Sequence, residues 1–266
     1  RDNKRFKKQV VAGLLTDAHG EPLTIQLYPG NTQDTQTFAD PVEKLHVRFG
    51  AREVAVVGDR GMIKRAGKQL LGEVGYRYVT ALTDPQIRKL LDQGVVQMDL
   101  FDDTPVEVEA SGRRYVLRCN PQTRQRDRQR RADQLGRARA LLRKLNAQLQ
   151  THPRRSLDVA ERTVQRKLQA YRLQSWVRVQ PVVRQRRLEL CEDPEARAHR
   201  RLLDGCYVLE SDLPAAVADT ATVHARYMSL IDVERDFRTL KTALLELRPI
   251  FLRKAKRTRG HALVSL

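Results

Sequence analysis

Aromatic side chains make up only 5% of this 266-residue chain, with a single Trp, and cysteine occurs three times. Cys119, Cys191 and Cys206 are widely spaced and form no CxxC pair, which excludes a disulfide framework and a cysteine zinc site and fits a reducing compartment. No window approaches the run of about 18–20 apolar residues that a membrane-spanning helix needs, and the basic start RDNKRFKKQ leads into no signal-type hydrophobic region. The chain therefore reads as soluble and unexported. Acidic residues are also in deficit: 32 Asp and Glu stand against 50 Lys and Arg, a net charge of +18. That surplus points to a polyanionic partner, because each phosphate contact releases condensed counterions. A basic surface without such a partner is the plainer alternative. A hydrophobic fraction of 41% is enough to bury a core of one large domain or two ordinary ones, and it excludes a wholly disordered chain.

Hydrophobic periodicity gives an order of elements. QVVAGLL, the turn from Asp17 to Gly20, and PLTIQLYPGN read as a β-hairpin. Phe38, Val42, Leu45 and Phe49 recur at helical steps before Gly50, predicting a helix from Thr35 to Phe49. EVAVVGDRG reads as a buried strand ending in a loop, Ile63 to Glu73 as a helix, and YRYVTAL as another strand. Strands alternating with helices predict an α/β domain whose sheet is at least partly parallel.

From Pro121 to Leu190 the composition shifts, with 19 Lys and Arg against 5 Asp and Glu, so +14 of the net +18 falls there. Leu135, Ala138, Leu142, Leu145 and Leu149 mark one helical stripe, and Val164, Leu168, Tyr171 and Val177 suggest a second helix after Pro153. This predicts a basic helical hairpin interrupting the α/β domain, with boundaries at 1–120, 121–202 and 203–266. Arg130, Arg131 and Arg137 are expected to track phosphates, with a dimer contact through the leucine stripe, by Leu141, Leu145 and Leu149, as the rival use. Trp176 and Tyr171 are read as core rather than base-stacking groups, and His261 as a helix-face residue. DGCYVLESDLP then returns the chain to the sheet, before one long helix from Ala221 to Leu247.

Asp59 stands just past the apolar strand, between Gly58 and Gly61, where open α/β sheets place their ligands and a carboxylate can take a divalent cation. An ordinary Asp-Gly type of turn is the competing reading. On the long helix, Tyr227, Glu234 and Lys241 recur every seven residues and share a face with Leu230, Phe237 and Leu244. A carboxylate in a sheet-facing apolar stripe is costly unless a cation or hydrogen bonds compensate it, which singles out Glu234. The competing reading is an i,i+4 pair with Arg238.

QVVAGLLTDAHGEPLTIQLYPGN, VAVVGDRGM, YRYVTAL and the stretch from Tyr227 to Leu266 resemble the DDE-type insertion-sequence transposases that carry a YREK signature. The signature Y-x2-R-x3-E-x6-K is met by Tyr227, Glu234 and Lys241, with Leu230 in the place of Arg. The resemblance implies a ribonuclease-H-like mixed sheet flanked by helices, interrupted by the basic, mainly helical insertion. It also implies that Asp59 and Glu234 are catalytic metal ligands for Mg²⁺ or Mn²⁺, two ions in the complete enzyme, and that Tyr227, Lys241 and Arg238 approach the DNA. The implied partner is double-stranded DNA with terminal inverted repeats, bound by a homodimer of a cytoplasmic, nucleoid-associated bacterial protein. In that family the first acidic residue precedes the segment matching RDNKRFKKQVV, and the closing helix continues past RGHALVSL. The sequence is thus read as truncated at both ends and is expected to bind DNA without cutting it; Asp2 and Asp17 are poor substitutes for the first Asp. A ribonuclease-H-like nuclease without strand transfer and a non-catalytic basic DNA-binding protein remain as alternatives.

Overall fold

In the computed structural model, which describes residues 10–32, 34–60, 62–240 and 254–265, the expected hairpin is present. Val10–Thr16 (β1) and Pro22–Pro29 (β2) pair antiparallel as a two-stranded sheet. Asp17 closes its turn by accepting the His19 and Glu21 N–H groups on Oδ1, and these bonds hold its carboxyl below the usual carboxylate range. The predicted first helix, Asp34–Glu43 (α1), widens into a π-turn over Lys44–Arg48 before Gly50 leaves it at φ +60°. Ala55–Gly58 (β3), Arg65–Glu73 (α2) and Arg77–Ala81 (β4) follow in the expected order, with β3 and β4 parallel. Phe38, Val42, Leu71, Tyr76 and Tyr78 fuse α1, α2 and the strands into one core cluster. Sequence reading passed over the next helix, Asp84–Asp92 (α3), although Thr83 and Gln86 form a capping box at its start. It also passed over the antiparallel pair Val106–Ala110 (β5) and Arg113–Cys119 (β6).

Contacts divide the chain into two compact units. One holds the described residues up to Leu100, with Pro105–Leu117 and those from Val208 onward; the other is Phe101–Thr104 with Arg118–Tyr207. The first helix of the second unit is Pro121–Thr151 (α4), capped by the Asn120 side chain, which accepts the Thr123 N–H. Leu157–Ala170 (α5) is capped likewise by Ser156. The segment past Leu173 does not prolong a second helix, as the stripe ending at Val177 suggested. Val177–Val182 (β7) and Arg187–Glu192 (β8) form an antiparallel hairpin, and Pro194–Arg201 (α6) follows. The cause is a change of period: Val177 and Val179 are buried while Arg178 and Gln180 are exposed. Asn146 ties α4 to β8 by accepting the Leu188 N–H and donating to the Leu188 carbonyl, at 2.8 and 2.9 Å.

The unit has its own core. Leu135, Ala138, Leu145 and Leu149 of α4 pack with Val164, Leu168, Trp176 and Leu188. The leucine stripe is therefore occupied within the chain, which corrects the reading of it as a dimer seam. Trp176 is buried as expected, with the Arg197 guanidinium 5.3 Å from its ring centroid. Gly205 closes this unit at φ +67°, where an added Cβ would lie 2.5 Å from the Asn120 carbonyl oxygen and 2.6 Å from the Arg124 nitrogen. Both obstacles are backbone, so Gly205→Ala is expected to lower the unfolding free energy by about 2–4 kcal/mol. An unchanged melting midpoint by circular dichroism would contradict this.

Cys206–Ser211 (β9) returns the chain to the first unit and completes a five-stranded mixed sheet in the order β3-β4-β9-β6-β5, with β4 and β9 antiparallel. Thr220–Met228 (α7), capped by Asp219, packs on β3 and β4. The single helix expected from Ala221 to Leu247 is divided at Ser229, and Leu230–Leu240 (α8) is a separate element. Ser229 Oγ donates to the Arg226 carbonyl at 2.7 Å, the local side-chain competition by which serine disturbs a helix. α8 packs on β1, and Ala255–Val264 (α9) packs on β2, around Phe237, Leu14, Ile25 and Ala262. Among the described residues no helix is long and apolar enough to cross a membrane.

Candidate active site

Asp59 leaves the C-terminal end of β3 with its carboxylate exposed. Its Oδ1 accepts the Arg60 N–H at 2.7 Å and stands 3.5 Å from the Tyr227 hydroxyl. These residues are 168 positions apart in sequence. They meet because α7 lies across β3 and β4 and carries the half-buried Tyr227 to the strand end. Two of the residues singled out by the sequence are thus brought together.

Glu234 is placed otherwise than expected. Its side chain is 73% exposed, and Arg238 Nη2 approaches its Oε2 at 3.4 Å. Along α8 the half-buried positions are Leu230, Asp232, Val233, Asp236 and Phe237. At about 100° per residue Glu234 falls about 40° outside that covered arc. Seven-residue spacing located the right helix face only approximately, because it assumed one straight helix through Ser229. Arg238 is exposed beside Glu234, and Lys241 lies outside the described residues.

Of the basic residues expected to face DNA, Arg130 and Arg137 are exposed on α4. Arg131 is placed differently from these two: its guanidinium is engaged by Asp204, whose carboxylate is nearly sealed from solvent and is also approached by Arg128 at 3.9 Å. A buried acid left without its cation would be costly, so Arg131 is held in place by the fold.

Two charged networks of the first unit escaped sequence reading. Glu210 on β9 is 3% exposed; it accepts the Tyr78 hydroxyl at 2.7 Å, with Lys68 at 2.7 Å and Arg113 at 3.2 Å. Burial first, and the Glu210 hydrogen bond second, push the Tyr78 phenol above its ordinary range. Arg114 on β6 forms a bidentate pair with Glu107 at 2.6 and 2.7 Å and donates from Nη1 to the Leu213 and Ala218 carbonyls, each at 2.8 Å. Thr220, the first residue of α7, donates its hydroxyl to the same Glu107 at 2.7 Å. Arg114 thereby holds the segment that leads into the Tyr227 helix. The available signal was slight, a charged residue at the edge of a short apolar run, as in RRYVLRC and CYVLES.

Asp59 and Glu234 offer the oxygen donors that Mg²⁺ and Mn²⁺ take, so the donor chemistry fits a divalent ion. Among the described residues, no three His, Cys, Asp or Glu side chains gather into a group that could hold one. What the described residues supply is an open carboxylate at a strand end, oriented by a phenol and a backbone amide.

The family model described as the transposase DDE domain matches residues 1–264. No curated protein and no solved structure matches the chain significantly. With a mixed five-stranded sheet flanked by helices and a family match over nearly its whole length, this chain belongs to the transposase DDE domain family.

Proposed function

We propose that the protein derives from the DNA transposase of an insertion sequence, an enzyme class that cleaves and joins DNA phosphodiesters with bound divalent metal, and that this chain retains its DNA binding. The observation that carries this reading is the Asp59 carboxylate at the end of β3, held beside the Tyr227 hydroxyl. Asp59 and Glu234 are the metal-binding carboxylates in this proposal, and divalent ions bound there supply the Lewis acidity for phosphoryl displacement. Tyr227 orients the Asp59 carboxylate through its hydroxyl. Arg238, Lys241, Arg130 and Arg137 contact the DNA backbone, on duplexes with terminal inverted repeats held by a homodimer.

This 266-residue chain binds DNA but cuts it weakly or not at all, a reading supported by the ungrouped carboxylates of the described residues. The same observation favours the second reading, a non-catalytic DNA-binding protein. The test is duplex binding and Mg²⁺-dependent cleavage measured side by side at about 50 mM salt, where electrostatic contacts are strong. Salt-sensitive binding with cleavage below detection is expected, and Glu234→Gln should leave binding within about twofold. Absence of DNA binding overturns the DNA-acting assignment. Vigorous Mg²⁺-dependent cleavage that disappears in Asp59→Ala overturns the inactivity and the second reading together.

A further inference from the structure

The arginines of the second unit fall into two sets. Arg128 and Arg131 converge on Asp204, Arg139 and Arg197 on Glu192, and Arg187 on Glu189, while Arg186 donates to the Pro153 and Arg155 carbonyls. These cations face carboxylates or carbonyls of the unit itself. Arg162, Arg166 and Arg178 have no carboxylate partner among the described residues; the one bond Arg162 shows runs from Nε to the Asp158 carbonyl of its own helix, at 3.3 Å.

All three line one groove of about 740 Å³ along α5 and β7, together with Gln169 and Gln174, over an apolar floor. No acidic residue lines it among the described residues. Two different periodicities direct the same chemistry into this concavity. On α5, Ala160, Val164 and Leu168 are buried, which turns Arg162, Arg166 and Gln169 to the opposite, exposed side at i, i+4 and i+7. On β7, Val177 and Val179 point inward, which turns Arg178 outward.

We propose that the α5–β7 groove is a sequence-independent docking site for the phosphodiester backbone of duplex DNA. The proposal rests on the DNA-acting reading above and adds to it a surface distinct from the α4 arginines and from Asp59. Guanidinium forks and glutamine amides donate hydrogen bonds in the geometry that phosphate oxygens accept. Arg162 and Arg166 are one helical turn apart, roughly 6 Å, a step along which each strand of a duplex presents about two phosphates. Among the described residues no aromatic side chain lines the groove, so splayed bases find no platform there and the contact is to the backbone.

The experiment is fluorescence anisotropy of the full chain on a labelled random-sequence duplex, titrated between about 50 and 200 mM salt. The Arg162→Gln/Arg166→Gln/Arg178→Gln variant is expected to show a slope of log affinity against log salt shallower by about 2.7. Across that salt range the loss of affinity then becomes roughly 40-fold smaller than for the unaltered protein. The corresponding Lys triple should keep the original slope within about 0.5, since it keeps the charge, and Arg139→Gln/Arg187→Gln should keep it too, since those cations already face glutamates. An unchanged slope in the Gln triple, or equal losses in the Gln and Lys triples, overturns the groove while the DNA-acting reading stands. Failure of the unaltered protein to bind duplex at all overturns the DNA-acting reading itself.

Discussion

Glu210→Ala is expected to lower the unfolding free energy by about 3–5 kcal/mol, seen as a lower urea midpoint at unchanged slope. The side chain sits on the central strand of the five-stranded sheet, 3% exposed. Its loss leaves the Lys68 ammonium, only 17% exposed, with no counter-charge above the Tyr78 ring. It also leaves the Tyr78 hydroxyl without its acceptor. Arg113, about half exposed, contributes little to the cost because water screens it. Glu210→Gln keeps an acceptor for Tyr78 and should fall between the native protein and the alanine variant. Lys68 belongs to α2, the helix that follows the Asp59 loop, so the same network fixes the far side of that loop. A urea midpoint unmoved by Glu210→Ala would show that the network holds nothing.

Arg114→Met should cost a similar amount, about 3–5 kcal/mol, for a different reason. Methionine replaces the volume but leaves the Glu107 carboxylate and the Leu213 and Ala218 carbonyls without their donor. The pair also predicts a pH dependence. The Arg114 hydrogen bond holds the Glu107 carboxyl below its ordinary value of 4.5; burial opposes it, and the Thr220 hydroxyl adds to it. A depressed carboxyl contributes stability that is complete above the unfolded value and is lost as pH falls through the folded one. The stability gap between the native protein and Glu107→Gln should therefore be largest near pH 6 and shrink as the pH falls to about 3. A gap that stays constant over that range would sink the assignment.

The elements legible in the sequence were those whose period and punctuation agreed. The β1–β2 hairpin, β3, β4 and the first two helices each combined an apolar pattern with a Gly or Pro stop. The β7–β8 hairpin was not legible because its turn carries no glycine: Arg186 takes the left-handed conformation at φ 46°. Asp59 was visible because it ends an apolar run, a property of neighbours in sequence. The facing of Glu234 was not, since a pattern on a helix says nothing of a break at a serine with no proline or glycine beside it. Glu210 reads as a surface charge until strands bring Tyr78, Lys68 and Arg113 around it, and no local pattern encodes those three distances. Likewise the insertion announced its charge but not how that charge is apportioned, because whether an arginine is neutralised depends on partners such as Asp204 and Glu192.

The chain leaves the first unit along β6 and re-enters along β9, and these strands are neighbours in one sheet. Asn120 and Gly205, at the two crossings, are joined by a backbone hydrogen bond of 2.9 Å. The sheet must therefore bring together two strands that are remote in sequence, and the entropy of closing that loop rises with its length, by about 0.6 kcal/mol per doubling. The second unit, with a core of its own and that hydrogen bond between its two ends, holds the loop closed, so the entropic cost of joining β6 to β9 is carried by the packing of the unit between them.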